Sequence, residues 1–222
     1  MDYKQFKNSV LHLPLILSKD LERGQSNKQI IRNQLRRWQD NGLIFKLKRG
    51  MYLLNVNDRK INPSRQFIAN QLYMPSYVSL EYALNFYDLI PERVSEVTSV
   101  TTKKTIRFVN DLGTFTYQHI KSKAFRGFKM TKDEMGLTFF IAEPEKAVID
   151  FLYLNFDKSK HLDKVLDKIK ISDKDVFESS YRFQNTETLS QRRIMELAGL
   201  FESEKLTRFA QLFCEFIGSS GN

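Results

Sequence analysis

Between Lys28 and Leu54 the hydrophobic period switches from helical to alternating across a single Asn41-Gly42 stop, and that switch calls for a helix followed directly by a hairpin. Ser26 and Asn27 both carry side chains that accept backbone N–H groups as N-caps, which sets the expected helix at Lys28 to about Asp40. Ile31, Leu35 and Trp38 recur at i, i+4 and i+7 and must face a core. Lys28, Arg32, Arg36 and Gln39 repeat on a second stripe, with Gln29, Asn33 and Arg37 close to it. Past Gly42, Phe45 and Leu47 alternate with Lys46 and Lys48. Arg49-Gly50 forms the tip, and Met51-Tyr52-Leu53-Leu54 makes the return strand.

Charge sharpens the reading. The 222 residues carry a formal charge of +9; residues 1–60 hold 13 basic and 5 acidic side chains, whereas residues 61–222 hold 22 and 21. Such asymmetry points to a polyanion-binding segment joined to a neutral body, although a solvated surface gives the same count. The helix stripe carries the residue types that read DNA, since Arg pairs with guanine and Asn or Gln with adenine. A basic helix leading into a basic hairpin is the order of a winged helix-turn-helix. Residues 1–56 are therefore expected to bind double-stranded DNA, with the helix in the major groove and Lys46, Lys48 and Arg49 on the wing. Supporting helices are expected within Leu11–Leu21, with Ser18 as a cap.

The polar run Asn57–Pro63 reads as a linker, and Pro63 suits the first turn of the next helix. Helices are expected over Ser64–Tyr73 and from Ser79, as its cap, to Tyr87. Five strands should follow, over Val94–Thr102, Thr105–Val109, Thr114–Ile120, Phe125–Met130 and Leu137–Ile141. Helical spacing returns at Pro144, near His161–Ile169 and over Leu189–Ile217, with a disordered tail at 218–222. The fold class is α+β: an N-terminal winged helix-turn-helix, then a domain over 64–217 with a mostly antiparallel sheet and flanking helices.

Catalytic chemistry finds little to stand on. Cys214 is the single cysteine, so neither an intramolecular disulfide nor a cysteine zinc site can form. It lies on an apolar stripe and reads as a core thiol. His12, His119 and His161 are scattered, and neither phosphate-cradling glycine motif occurs. Glu143, Glu145 and Asp150 are the only acids at suggestive spacing. They read either as an acid/base or metal site or, preferably, as helix-start acids making surface pairs with Lys146. No catalytic residue, metal or cofactor is expected, nor is an export signal or membrane span, which places the chain in the cytoplasm.

Several motifs in order carry a resemblance. They are Arg49-Gly50-Met51-Tyr52, Ala69-Asn70, Pro75-Ser76-Tyr77-Val78-Ser79-Leu80-Glu81-Tyr82-Ala83-Leu84, Leu89-Ile90-Pro91-Glu92, Val97 to Thr105, Phe115-Thr116-Tyr117 and Ile141 to Ala147. Together they resemble the AbiEi-type antitoxins of bacterial type IV toxin–antitoxin, or abortive infection, systems, over about residues 28–154. The resemblance implies a transcriptional repressor whose winged helix binds inverted repeats in its own promoter, with cooperative self-association on DNA. It further implies a second domain that neutralises a cognate nucleotidyltransferase-like toxin. From the residues alone, a stand-alone regulator with a ligand-binding or oligomerisation domain stays open.

Overall fold

In the computed structural model, residues 2–23, 27–157 and 182–219 are described. The chain opens with α1 (Tyr3–Val10), upstream of the supporting helices expected within Leu11–Leu21. Asp2 and Gln5 form a reciprocal capping box there, and Phe6 and Val10 supply the buried i, i+4 face. Pro14 cannot continue a helix, and the chain instead enters the two-residue strand β1 (Ile16–Leu17) and the single turn α2 (Ser18–Leu21). Ser18 is the first helical residue rather than a cap.

α3 (Lys28–Asp40) has the expected bounds; Asn27 caps it by accepting from the Gln29 N–H at 3.0 Å, and Gly42 follows at φ +68°. β2 (Ile44–Lys48) and β3 (Met51–Leu54) form the hairpin, with β1 on the outer side of β3 in an antiparallel order β1-β3-β2. Gly50 sits at φ +77°, and a Cβ there would meet Ser18 Oγ at 3.1 Å, so the tip depends on glycine.

The body follows with α4 (Arg65–Leu72), β4 (Ser76–Val78), α5 (Leu80–Phe86), β5 (Val97–Thr101), β6 (Ile106–Asn110), β7 (Gly113–His119), β8 (Phe128–Lys132), β9 (Thr138–Ala142) and α6 (Pro144–Leu152). Beyond residue 181 come α7 (Gln191–Gly199) and α8 (Glu204–Ser219). The expected single run from Leu189 to Ile217 is thus broken, with Glu202 at φ +50° between the two helices. Gly218 and Ser219 complete α8, whereas 220–222 and the helix expected near His161–Ile169 lie outside the described residues.

The six-stranded sheet runs β6-β7-β5-β4-β9-β8. The β6–β7, β5–β4 and β9–β8 pairs are antiparallel, but β5–β7 and β4–β9 are parallel. Three of the five pairings are antiparallel, as expected of most of the sheet; the other two make it mixed, because the short, fully buried β4 inserts between β5 and β9 and because β7 rather than β6 lies beside β5. The fold is α+β.

Two apolar clusters organise the chain. Phe6, Val10, Ile16, Ile31, Leu35, Trp38, Ile44 and Leu54 form the N-terminal one, with Phe6 stacked on Trp38 at 4.2 Å between ring centroids. The second fills the body and also takes in Leu47, Met51 and Leu53. One hairpin therefore serves both cores. The supposed linker is similarly tied down. Asp58 accepts from Tyr3 and Lys7, each at 2.7 Å, and the Lys60 N–H donates to the Leu11 carbonyl at 3.2 Å. Ser64 caps α4, accepting from the Phe67 N–H at 3.1 Å, so Pro63 precedes the cap rather than sitting in the first turn.

Candidate nucleic-acid interface

α3 buries Ile31, Leu35 and Trp38 and turns Lys28, Gln29, Arg32, Asn33, Arg36 and Arg37 to solvent. The helix therefore divides along the two stripes expected of it. Its polar residues are not equivalent. Arg32 Nε donates to Glu22 Oε1 at 3.0 Å, so part of its charge is already matched. Gln29 Nε2 donates to Asn33 Oδ1 at 2.9 Å, an i, i+4 pair that holds two exposed amides side by side. Among the described residues no ion pair or hydrogen bond holds the side chains of Lys28, Arg36 or Arg37. Neighbouring cations without counter-ions attract a polyanion.

The hairpin splits in the same manner. Lys46 and Arg49 are exposed. Lys48, expected on the wing beside them, is half-buried and donates from Nζ to the Leu72 carbonyl of the body at 2.6 Å. Burial pushes its ammonium below the usual lysine range, and the charge of Lys103 adds to that shift. Lys48 is thus a strut between the units as well as a cation at the tip.

The acids singled out beside α6 do not form one cluster. Glu143 bridges to Arg193 of α7 at 2.9 Å, and Glu145 accepts the Ser190 N–H at 3.0 Å. Lys146 and Asp150, expected on the helix surface, are wholly buried and paired with each other. The reason lies in what surrounds α6: Tyr77 and Ser79 both donate to Asp150 Oδ2, at 2.9 and 2.8 Å, and the Lys146 ammonium lies 4.6 Å from the Phe201 ring centroid. Burial pushes the Lys146 amine down and the Tyr77 phenol well up, the Asp150 charge adding to the latter shift. Ser79 occupies the N-cap position of α5 but makes no capping bond, its hydroxyl being given to Asp150. Spacing alone cannot distinguish a buried i, i+4 pair from a surface one; the sole hint was the cluster of apolar residues around Lys146 and Asp150. Gly127 completes the enclosure, since a Cβ there would meet Leu197 Cδ2 at 2.6 Å and Lys146 Cδ at 3.2 Å.

Elsewhere, an open groove is lined by Glu81, Glu92, Arg93, Glu96, His119 and Asn155, and burial raises the Glu81 carboxyl above its usual range. Among the described residues no group of three or more His, Cys, Asp or Glu is placed to hold a metal ion. Burial raises the Cys214 thiol, with the Glu215 charge a lesser cause, so the thiolate is disfavoured. His12 and His119 lie in separate units, and His161 is outside the described residues. Among the described residues no helix is long and apolar enough to cross a membrane. No protein-family model matches the chain, and no curated protein matches it.

Proposed function

We propose that the chain is a cytoplasmic, DNA-binding type IV antitoxin that represses its own operon and neutralises a nucleotidyltransferase-like toxin, without catalysis of its own. The observation that carries the DNA-binding half is the set of exposed cations without counter-ions, Lys28, Arg36, Arg37, Lys46 and Arg49, on one helix and the hairpin that follows it. The element order α1-β1-α2-α3-β2-β3 with sheet order β1-β3-β2 supports a winged helix over residues 1–56. In that reading α3 enters the major groove, Gln29 and Asn33 meet base edges, and Arg32, Arg36 and Arg37 anchor phosphates. The antitoxin half rests on the motif resemblance, and cooperative occupation of inverted repeats comes with it.

The test uses the full chain, because Leu47, Met51 and Leu53 belong to the body core and a cut at residue 61 would strip them from it. A reporter driven by the chain's own upstream DNA is expected to be repressed by the full chain and released by Arg36→Ala with Arg37→Ala. The neighbouring gene, induced alone, is expected to arrest growth, and both forms are expected to relieve that arrest. A harmless neighbour would leave a stand-alone regulator; an unrepressed reporter would remove the DNA-binding reading.

A further inference from the structure

α3 carries one side chain that neither the core nor the charge pattern accounts for. Ile30 is 55% exposed, although the helix already fills its buried stripe with Ile31, Leu35 and Trp38. It is the single large apolar side chain of α3 left in solvent. Helix propensity does not call for it there, since isoleucine is a poorer helix former than alanine or leucine. We propose that Ile30 packs on the C5-methyl group of a thymine in the major groove, and that the first two turns of α3 thereby select an A·T pair. The proposal rests on the DNA-binding reading above and adds to it the class of base pair that α3 reads.

The neighbours of Ile30 fit that edge. Gln29 precedes it, Asn33 follows at i+3 and Arg37 at i+7, so polar and apolar groups share one stretch of the exposed helix surface. The bond from Gln29 Nε2 to Asn33 Oδ1 at 2.9 Å sets two amides together on the turn that carries Ile30. In the major groove an A·T pair shows an acceptor at adenine N7, a donor at adenine N6, an acceptor at thymine O4 and the thymine methyl group. A side-chain amide answers the adenine edge, and an aliphatic side chain answers the methyl. A G·C pair offers no methyl in exchange, and a hydrocarbon set against its cytosine amine would separate that donor from water. The same side chain thus favours one pair and disfavours the other. Isoleucine suits the task because a β-branched side chain holds essentially one χ1 rotamer in a helix, so little freedom is lost when a methyl group settles on it.

The charge around Ile30 decides between DNA and a second copy of the chain. Lys28, Arg36 and Arg37 stand exposed on the same helix without ion-pair partners among the described residues, so two such helices laid face to face would bring cation against cation. A duplex instead sets phosphates against the cations and base edges against the groups between them.

The experiment maps the half-site that the full chain protects in its own upstream DNA by hydroxyl-radical footprinting. Each thymine there is then replaced in turn by deoxyuridine, which pairs alike and lacks only the methyl group. Binding is read by fluorescence anisotropy for the wild-type chain, Ile30→Ala and Ile30→Val, and an unchanged thermal midpoint shows that each variant is folded. The wild-type chain is expected to lose about three- to fivefold in affinity at one or two thymines, the size expected of one buried methyl group. Ile30→Ala should bind the thymine duplex more weakly by about the same factor and be indifferent to deoxyuridine at those positions, while Ile30→Val should keep most of the preference. The log–log salt slope should be the same for Ile30→Ala as for wild type, because no charge is removed. Binding by the wild-type chain that ignores every deoxyuridine, or an Ile30→Ala variant as sensitive as wild type, would overturn the contact and leave the DNA-binding reading standing. A changed association state of free Ile30→Ala in analytical ultracentrifugation, with thymine preference intact, would assign the side chain to a second copy and overturn the proposal. No DNA binding by the wild-type chain would overturn both.

Discussion

The N-terminal unit and the body use the same side chains in opposite ways. In α3, cations stand in solvent with their charges largely unmatched, and the unit carries nearly all of the surplus charge in the chain. In the body, a lysine and an aspartate of α6 are taken wholly out of water, matched to each other and to Tyr77 and Ser79. A buried pair is expensive unless every remaining polar atom is satisfied, so its enclosure is a commitment to one packing of α6 against the sheet. Exposed unmatched cations add little to folding and are available to a partner. The contrast separates charges left to solvent from charges enclosed to hold one packing.

The largest expected effect tests the second half of that contrast. Asp150→Ala leaves the Lys146 ammonium buried without its partner and is expected to lower stability by about 3–5 kcal/mol in urea unfolding. Lys146→Met with Asp150→Leu should recover most of it. A loss for Asp150→Ala below about 1 kcal/mol would show that the pair is not enclosed as described.

The hairpin gives the next effect, because it belongs to both regions. Trp38, the single tryptophan, lies in the N-terminal core and reports that unit alone, while far-UV circular dichroism reports the whole chain. With Leu47, Met51 and Leu53 in the body core and Ile44 and Leu54 in the other, the two signals are expected to unfold together. Leu53→Ala should shift both by about 2–5 kcal/mol. Separate transitions in the wild-type chain would break the shared-hairpin account.

The smallest effect concerns Asp58, which joins the 57–63 segment to α1. Hydrogen bonds from Lys7 first and Tyr3 second hold its carboxyl below the usual range. A carboxyl depressed in the folded state stabilises the fold above its unfolded pKa of about 3.9, and that contribution is lost as pH falls through the lower folded value. Asp58→Asn is expected to cost about 1 kcal/mol at neutral pH, the partners being partly solvated, and progressively less as pH falls through the lowered folded value. A cost that stays constant as pH falls would contradict the linkage.

How far these features were legible depends on whether they are local. The bounds of α3, the Arg49-Gly50 tip and five of the body strands follow from periodicity and turn residues, which act over a few positions. The strands β1 and β4 are two and three residues long, too short for any alternation to register. The insertion of β4 makes the parallel pair with β9, and the β6–β7 hairpin turns its second strand rather than its first to β5, so sheet order rests on long-range placement that no local pattern carries. Of the site residues, the exposure of Lys28, Arg36, Arg37, Lys46 and Arg49 followed from the helical stripe and hairpin alternation. The Arg32–Glu22 pair and the Lys48 anchor did not, because their partners, Glu22 and Leu72, lie on other elements.

The central claim is that the unmatched cations of α3 exist for DNA, and the most direct measurement is the affinity of the full chain for its upstream duplex as salt is raised. The account predicts that log K falls linearly with log salt at a slope of about −0.9 per phosphate neutralised. Arg36→Ala/Arg37→Ala should flatten that slope and weaken binding while leaving stability within about 0.5 kcal/mol of wild type. Affinity indifferent to salt, or unaltered in the double variant, would contradict it.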